Sequence, residues 1–335
     1  MTLDVAKTNE TLPKSEILLS NIPLPLARMF YPLGFPVRIA TNHEAVLEAA
    51  HESWGQLSAK HNTPVIEVRV AVIDSEDADC PPSPLVRLEG HLLTSVADAH
   101  NHAVCDIRNG IAHIWLSRSA LHYTSYVRYF FIEAATYCAI STSFVTPVHA
   151  ACVSRHGQGM LLCGESGTGK STLAYACARA GWTYTSDDGS YVVRDANPPR
   201  VLGSSHQVRF RPTAKALFPE LKGYMLTPRA EGKPSIEVPI LDLLPNVVTA
   251  DEAQIHFLIF PKRGPLTVPK LIPISSEVAL RRLKAGEGLG QEMEQFHASC
   301  IRHLIHTQTF ELHYSELQPA IDRLDELARE ASRQI

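Results

Sequence analysis

The 335-residue sequence contains no long, uninterrupted apolar run. Its greasiest stretch, Tyr126 to Ile140, reaches 15 residues and already carries Arg128 and Glu133. That falls short of the roughly 20 apolar residues needed to cross a bilayer, so no transmembrane helix and no membrane partner are expected. A surplus of either charge is also missing. The 31 Lys and Arg stand against 35 Asp and Glu, a net charge of −4, which argues against nucleic acid as a partner and against an acidic disordered tail. The seven cysteines are odd in number, far apart and without a C-x-x-C pair. Neither a disulfide framework nor a zinc ribbon is indicated, and buried, inert thiols are expected. No internal repeat or low-complexity tract is present. Residues 1–20 mix Asp4, Lys7, Glu10, Lys14 and Glu16 without an apolar core. They read as a disordered start rather than a secretory signal, and the chain is expected to be cytoplasmic. What remains is ordinary globular composition, long enough for two domains with a real core.

Residues 21–144 read as an α+β domain whose sequence names no chemistry. Thr41 or Asn42 is placed to cap a helix through Trp54. Val65 to Ile73 alternates polar and apolar as a strand does. Gly90 to Val96, His102 to Ile107 and Ala112 to Leu116 read as short strands, with Asn109-Gly110 as a hairpin turn. Tyr123 to Ser141 reads as one long, mostly buried helix. Residues 145–335 follow another pattern. Val148 to Val153 and Met160 to Cys163 are consecutive strands, followed by a glycine-rich turn, a helix and a third strand that ends in acid. Farther on, Ile255 to Phe260 is a buried strand bounded by Pro261, and Glu277 to Lys284, Glu292 to Thr307 and Leu317 to Ser332 are helices.

The segment Gly164-Glu165-Ser166-Gly167-Thr168-Gly169-Lys170-Ser171 satisfies G-x-x-x-x-G-K-[ST] in full, with a hydrophobic strand before it and a helix from Thr172 after it. Glycines at 164, 167 and 169 let backbone N–H groups point at phosphate oxygens without a Cβ in the way, and the helix N-terminus adds partial positive charge. Lys170 is then placed to reach the β and γ phosphates of ATP, and the Ser171 hydroxyl to ligate Mg²⁺. Such a site also needs a carboxylate. The strand ending Pro261-Lys262-Arg263 offers none, whereas Asp187-Asp188 closes the strand after the helix, with Gly181 placed as a left-handed helix cap. If one of the pair ligates Mg²⁺, its neighbour is close enough to accept a proton from an attacking hydroxyl.

These residues resemble the catalytic domain of the bacterial HPr kinase/phosphorylase family, relatives of ATP-dependent phosphoenolpyruvate carboxykinases. The resemblance rests on Pro147-Val-His149-Ala-Ala-Cys-Val153, Gly159 to Ser171, and Gly181-Trp-Thr-Tyr-Thr-Ser-Asp187-Asp188, in that order and spacing. It implies an α/β P-loop kinase core of the HPr kinase/carboxykinase type, here behind an N-terminal α+β domain. It further implies Asp187 as the base toward an acceptor serine, Asp188 with Ser171 at the metal, His149 near the transferred phosphate, and a homo-oligomer. Two departures are visible. Thr172 stands where the HPr enzymes usually have Glu, and their arginine- and glycine-rich segment with another metal carboxylate is replaced by Gln207 to Thr213 and Gly232 to Glu237. Glu237 is the candidate third carboxylate, and Arg209, Arg211 and Lys233 are candidate phosphate cations.

The leading expectation is therefore an ATP- and Mg²⁺-dependent kinase that phosphorylates a hydroxyl on a protein serine or a small molecule. The alternative is a nucleotide-binding regulatory or scaffold protein that transfers phosphate slowly or not at all.

Overall fold

The computed structural model describes residues 22–75, 79–194, 196–226, 235–265, 268–286 and 291–333. Residues 1–20 and Lys233 thus lie outside the described residues. The chain divides between Ala139 and Ile140 into two compact units.

The first unit is built on a mixed sheet of β1 (Leu26–Phe30), β2 (Val37–Thr41), β3 (Ile66–Ile73), β4 (Leu85–Glu89), β5 (Leu92–Val96), β6 (His102–Asp106) and β7 (Ile111–Ser117), in the order β1-β2-β3-β7-β6-β5-β4. Helix α1 (Glu44–Trp54) joins β2 to its parallel neighbour β3 and buries Val46, Leu47, Ala50 and Trp54. Its cap is neither Thr41 nor Asn42. His43 holds the position, its Nδ1 accepting from Ala45 N at 3.3 Å. Asn42 is spent instead on both backbone groups of Val72, at 2.9 and 2.8 Å, which ties the start of the helix to β3. The Asn109-Gly110 turn is a four-residue connection between the paired Asp106 and Ile111, with Gly110 at φ +65° and the Asp106 carboxylate accepting two N–H bonds. The single helix expected over Tyr123 to Ser141 forms as a continuous helical run with a change of pitch inside it. Helix α2 (Thr124–Val127) passes through a π-helical stretch, Arg128–Ile132, into α3 (Glu133–Ser143). The widened turn lies where Arg128 reaches Ser53 and Glu52 on α1 and Glu133 on α3, a set of partners that rewards its local departure from α geometry.

The second unit contains β8 (Val145–Arg155), β9 (Gln158–Cys163), α4 (Lys170–Arg179), β10 (Thr183–Ser186), β11 (Gly189–Val193), β12 (Arg200–Gly203), β13 (Gln207–Phe210), β14 (Ile236–Pro239), α5 (Ile240–Leu243), β15 (Glu252–Arg263), β16 (Lys270–Pro273), α6 (Ser276–Gly286), α7 (Gln291–Leu304), β17 (Gln308–Tyr314) and α8 (Leu317–Ser332). Strands β9, β15 and β17 are parallel neighbours, and β8 is antiparallel to both β9 and β10. The carboxyl ends of β9, β10, β15 and β17 therefore lie at one edge of the sheet. Two strands change partners along their length. The first half of β8 pairs with β11 and the second half with β9 and β10, while β15 begins on β12 and continues on β9 and β17. Pro261 does not end its strand, because β15 runs on to Arg263. Beyond Ile259 it pairs with β17 alone, and a proline is tolerated on such a one-sided stretch.

Alternation divides the core into two. Ala151, Val153, Met160, Leu162, Phe257 and Ile259 pack toward Leu173 and Cys177 of α4 and Ile321 and Leu324 of α8. Ala150, Cys152, Leu161, Cys163, Leu258 and Phe260 pack toward Ala279 and Leu283 of α6 and Ile301 and Leu304 of α7. Each large apolar side chain buried this way contributes about 1.5–3 kcal/mol. Five of the seven cysteines are buried. Burial pushes the Cys105 and Cys152 thiols up to about 12, whereas Cys80 is exposed, contrary to expectation. No helix among the described residues is long and apolar enough to cross a membrane.

Gly203, at the end of β12, abuts β10 just before the acid pair. A Cβ there would meet the Thr185 carbonyl oxygen and lie 2.8 Å from Ser186 Cβ. Gly203→Ala should destabilise the fold by about 1–3 kcal/mol. Gly264→Ala, whose Cβ meets open space at an ordinary φ, should change stability by less than about 0.5 kcal/mol. Urea unfolding followed by circular dichroism distinguishes the two, and equal losses would refute the close approach.

Candidate functional site

The glycine-rich segment forms the connection from β9 to α4. Gly164, Gly167 and Gly169 take φ values of +140°, +94° and +94°, a region closed in practice to other residues. The turn is braced by Thr168, whose hydroxyl donates to Glu165 O at 2.9 Å. Lys170 opens α4 and is only 4% exposed. Its ammonium donates to the carbonyls of Gly164 at 2.7 Å and Glu165 at 3.0 Å. Burial lowers its pKa, and the Asp188 carboxylate opposes that shift. At its other end α4 closes on Gly181 at φ +80°, with Gly181 N–H on Ala178 O and Trp182 N–H on Cys177 O, the paired bonds of a Schellman cap. That cap turns the chain directly into β10.

The acid pair occupies the two-residue connection between β10 and β11. It is held from both flanks, since Ser186 and Ser190 share a hydroxyl hydrogen bond of 2.7 Å and Ser190 donates to Ala150 O of β8 at 2.9 Å. Asp187 is 7% exposed. Its carboxylate accepts from Arg209 N at 2.6 Å, and its carbonyl accepts from the Ser171 hydroxyl at 3.1 Å, joining the turn to the first turn of α4. Asp188 is half-buried and meets His149 Nδ1 at 3.1 Å. His149 pairs with Gly189 at the place where β8 changes partner. Asp187, Asp188, His149 and Ser171 are thus brought together.

One cavity of about 670 Å³ contains much of this set. Its lining includes His149, Glu165 through Thr172, and Asp188. Asp187 and Gly164 stand behind that lining. Arg209, Arg211 and Arg263 also line it, so with Lys170 four cationic side chains face Glu165 and Asp188. Arg211 donates to Ser166 Oγ at 2.9 Å. The β13 strand that carries Arg209 is set against α4 by Tyr175, whose ring meets Phe210 and Phe218 edge-on at centroid distances of 5.0 and 4.8 Å. Glu237 lies outside the lining. It is held across the β13–β14 ribbon by Gln207 and by Arg209, the latter at 3.4 Å.

This donor set suits a phosphate anion. A buried ammonium bonded only to carbonyls can exchange them for phosphate oxygens, the open glycine turn leaves Gly167 with nothing near a Cβ position, and the lining is cationic overall. Ser171 and Asp188 offer two oxygen donors, about the number that a phosphate-bound magnesium takes from a protein. Arg263, Tyr314 and Ser235 line the cavity without having been singled out as site residues from the sequence. The only local signal was the basic Lys262-Arg263 pair at the end of an apolar strand.

No family model matches the chain, and no curated protein matches it. Among solved structures it is similar to the HPr(Ser) kinase/phosphatase from Coxiella burnetii, at 13% identity and a TM-score of 0.33, over 56% of this chain and 97% of that one. At that score the likeness carries no argument, and the functional reading rests on the site itself.

Burial raises the Asp187 carboxyl to about 7, with Arg209 opposing the shift and Asp188 reinforcing it. In the unfolded chain it ionises near pH 4. Between about pH 4 and pH 7 the unfolded state therefore binds fewer protons than the folded one, and stability falls as pH rises. Asp187→Asn keeps an oxygen for Arg209 N–H and removes this loss. In magnesium-free buffer its stability relative to wild type should climb from about pH 4 to pH 7 and level off above. A difference independent of pH in urea unfolding would contradict the desolvated acid.

Proposed function

We propose that the chain is an ATP- and magnesium-dependent kinase that transfers the γ-phosphoryl group to a hydroxyl, of a protein serine or a small molecule, on a P-loop core of the HPr kinase type. The observation that carries this reading is the sharing of one cavity by Lys170 in its glycine-rich turn and the Asp188–His149 pair.

In this reading the N–H groups of residues 165–171 cradle the phosphates, and Lys170 moves from the loop carbonyls onto a phosphate oxygen. Ser171 and Asp188 would hold magnesium, which when bound supplies positive charge to the phosphate oxygens. Asp187 accepts the proton of the acceptor hydroxyl. Its proton affinity, raised by burial to about 7, suits a base working near neutral pH. His149, its Nδ1 held by Asp188, would face the transferred group through Nε2, which donates only in the doubly protonated ring. A second assignment within the same reading exchanges the two acids, because Asp188 lines the cavity and Asp187 does not. Asp188 then takes the proton, and Asp187 fixes the turn through Arg209 N–H.

The test is transfer of label from γ-labelled ATP with Mg²⁺ into fractionated host lysate. Lys170→Ala should lower labelling at least about a hundredfold. Of Asp187→Asn and Asp188→Asn, the base variant should lose transfer yet keep magnesium-dependent ATP affinity, and the metal variant should lose that affinity. Wild type that binds ATP but labels nothing above Lys170→Ala would overturn the kinase and leave a nucleotide-binding regulatory protein.

A further inference from the structure

The cavity lining also includes strand ends that the glycine motif does not contain. Tyr314 closes β17, and Arg263, its paired residue, closes β15. Both line the cavity. Tyr314 is 1% exposed, its ring packed in the core cluster that includes Leu173 and Cys177. Its hydroxyl reaches the glycine turn, since a Cβ on Gly169 would stand 3.2 Å from it. The ring is buried while the hydroxyl end borders the cavity, the usual division of a tyrosine into an apolar body and a polar tip. Among the described residues the backbone of Tyr314 is bonded, its carbonyl accepting from Gly264 N at 2.8 Å, but its hydroxyl has no hydrogen-bond partner. The hydroxyl thus sits at the start of α4, on a residue that lines the cavity, with no protein group among the described residues holding it. Burial pushes its pKa up, so the hydroxyl keeps its proton and remains a donor at neutral pH.

We propose that Tyr314 is a further phosphate-binding residue, its hydroxyl donating a hydrogen bond to the phosphate chain of the nucleotide held by the glycine-rich turn. This rests on the nucleotide-binding half of the reading above. A neutral phenol donates here without adding another positive charge to a wall that already has Arg263. Its ring, locked in the core, makes the donor rigid, so little freedom is lost on binding.

Tyr314→Phe keeps the ring and removes only the O–H. Calorimetric titration with Mg·ATP and with inorganic tripolyphosphate, which has no base or ribose, separates the outcomes. Both ligands should bind the variant roughly tenfold or more weakly than wild type, in keeping with loss of a hydrogen bond to an ionised group. The melting temperature of the free protein should be unchanged. Unaltered affinity for both ligands overturns the assignment and leaves the phosphate cradle standing. Weakening for ATP alone also overturns it, since the hydroxyl would then serve the nucleoside. Weaker binding with a matching fall in melting temperature overturns it in favour of a packing role. Failure of wild type to bind either ligand removes the assignment together with the nucleotide site.

Discussion

The site depends on β8 changing partners partway along its length. Because Val145–His149 pair with β11 and Ala150–Arg155 with β9 and β10, the last residue of the first half and the strand ends of the second half come to one edge. His149 sits at that junction. The glycine turn leaves from β9, the acid pair from β10, and β11 begins directly opposite His149. The switch thus brings the β10–β11 connection against the strand that also flanks the glycine turn. The serine hydroxyls at 186 and 190, bonded to each other and to Ala150 O, hold the corner where the sheets part. Gly203 lets β12 press close enough to keep it narrow.

Electrostatics at this edge are unevenly distributed. Lys170 is buried and satisfies its ammonium with the carbonyl dipoles of Gly164 and Glu165, while the Asp188 carboxylate acts on it through space. Two of the other cations come from β13 and its end, Arg209 on the strand and Arg211 just after it, and Arg263 arrives from the end of β15. The end of a central parallel strand, where a metal carboxylate is expected in a P-loop protein, is basic here. The acids lie instead on the connection after β10, where the Asp187 carboxylate accepts from Arg209 N.

The legible parts of the sequence were those whose meaning is local. A glycine turn between an apolar strand and a helix, and two aspartates closing the next strand, need only contiguous residues to be recognised, and the fold places them together. Tyr314 and Arg263 lie far along the chain and reach the cavity only because β17 and β15 are parallel neighbours that end at the same level. No periodicity in either strand marks that coincidence. Glu237 read as a spare carboxylate until its cross-strand neighbours on β13 were known. The helix cap at His43 was hidden for a similar reason. Asn42 is the stronger capping residue by type, but tertiary pairing with Val72 removes it from competition. The extension of β15 through Pro261 reflects a neighbour missing on one side, which sequence cannot report.

The two halves of the site also differ in how much they must move. The acid turn is already fixed, with Asp187 bonded to Arg209 N and to Ser171 through its carbonyl. A group held this way would lose little freedom on meeting the proposed acceptor. In the proposed reading Lys170 would instead leave two carbonyls, an exchange of partners rather than a net loss, because charged phosphate oxygens are stronger acceptors than carbonyls. The glycines permit the exchange, since no Cβ blocks the path at Gly167. The rigid part thus sits where geometry must be accurate, and the adjustable part where an anion must first be admitted.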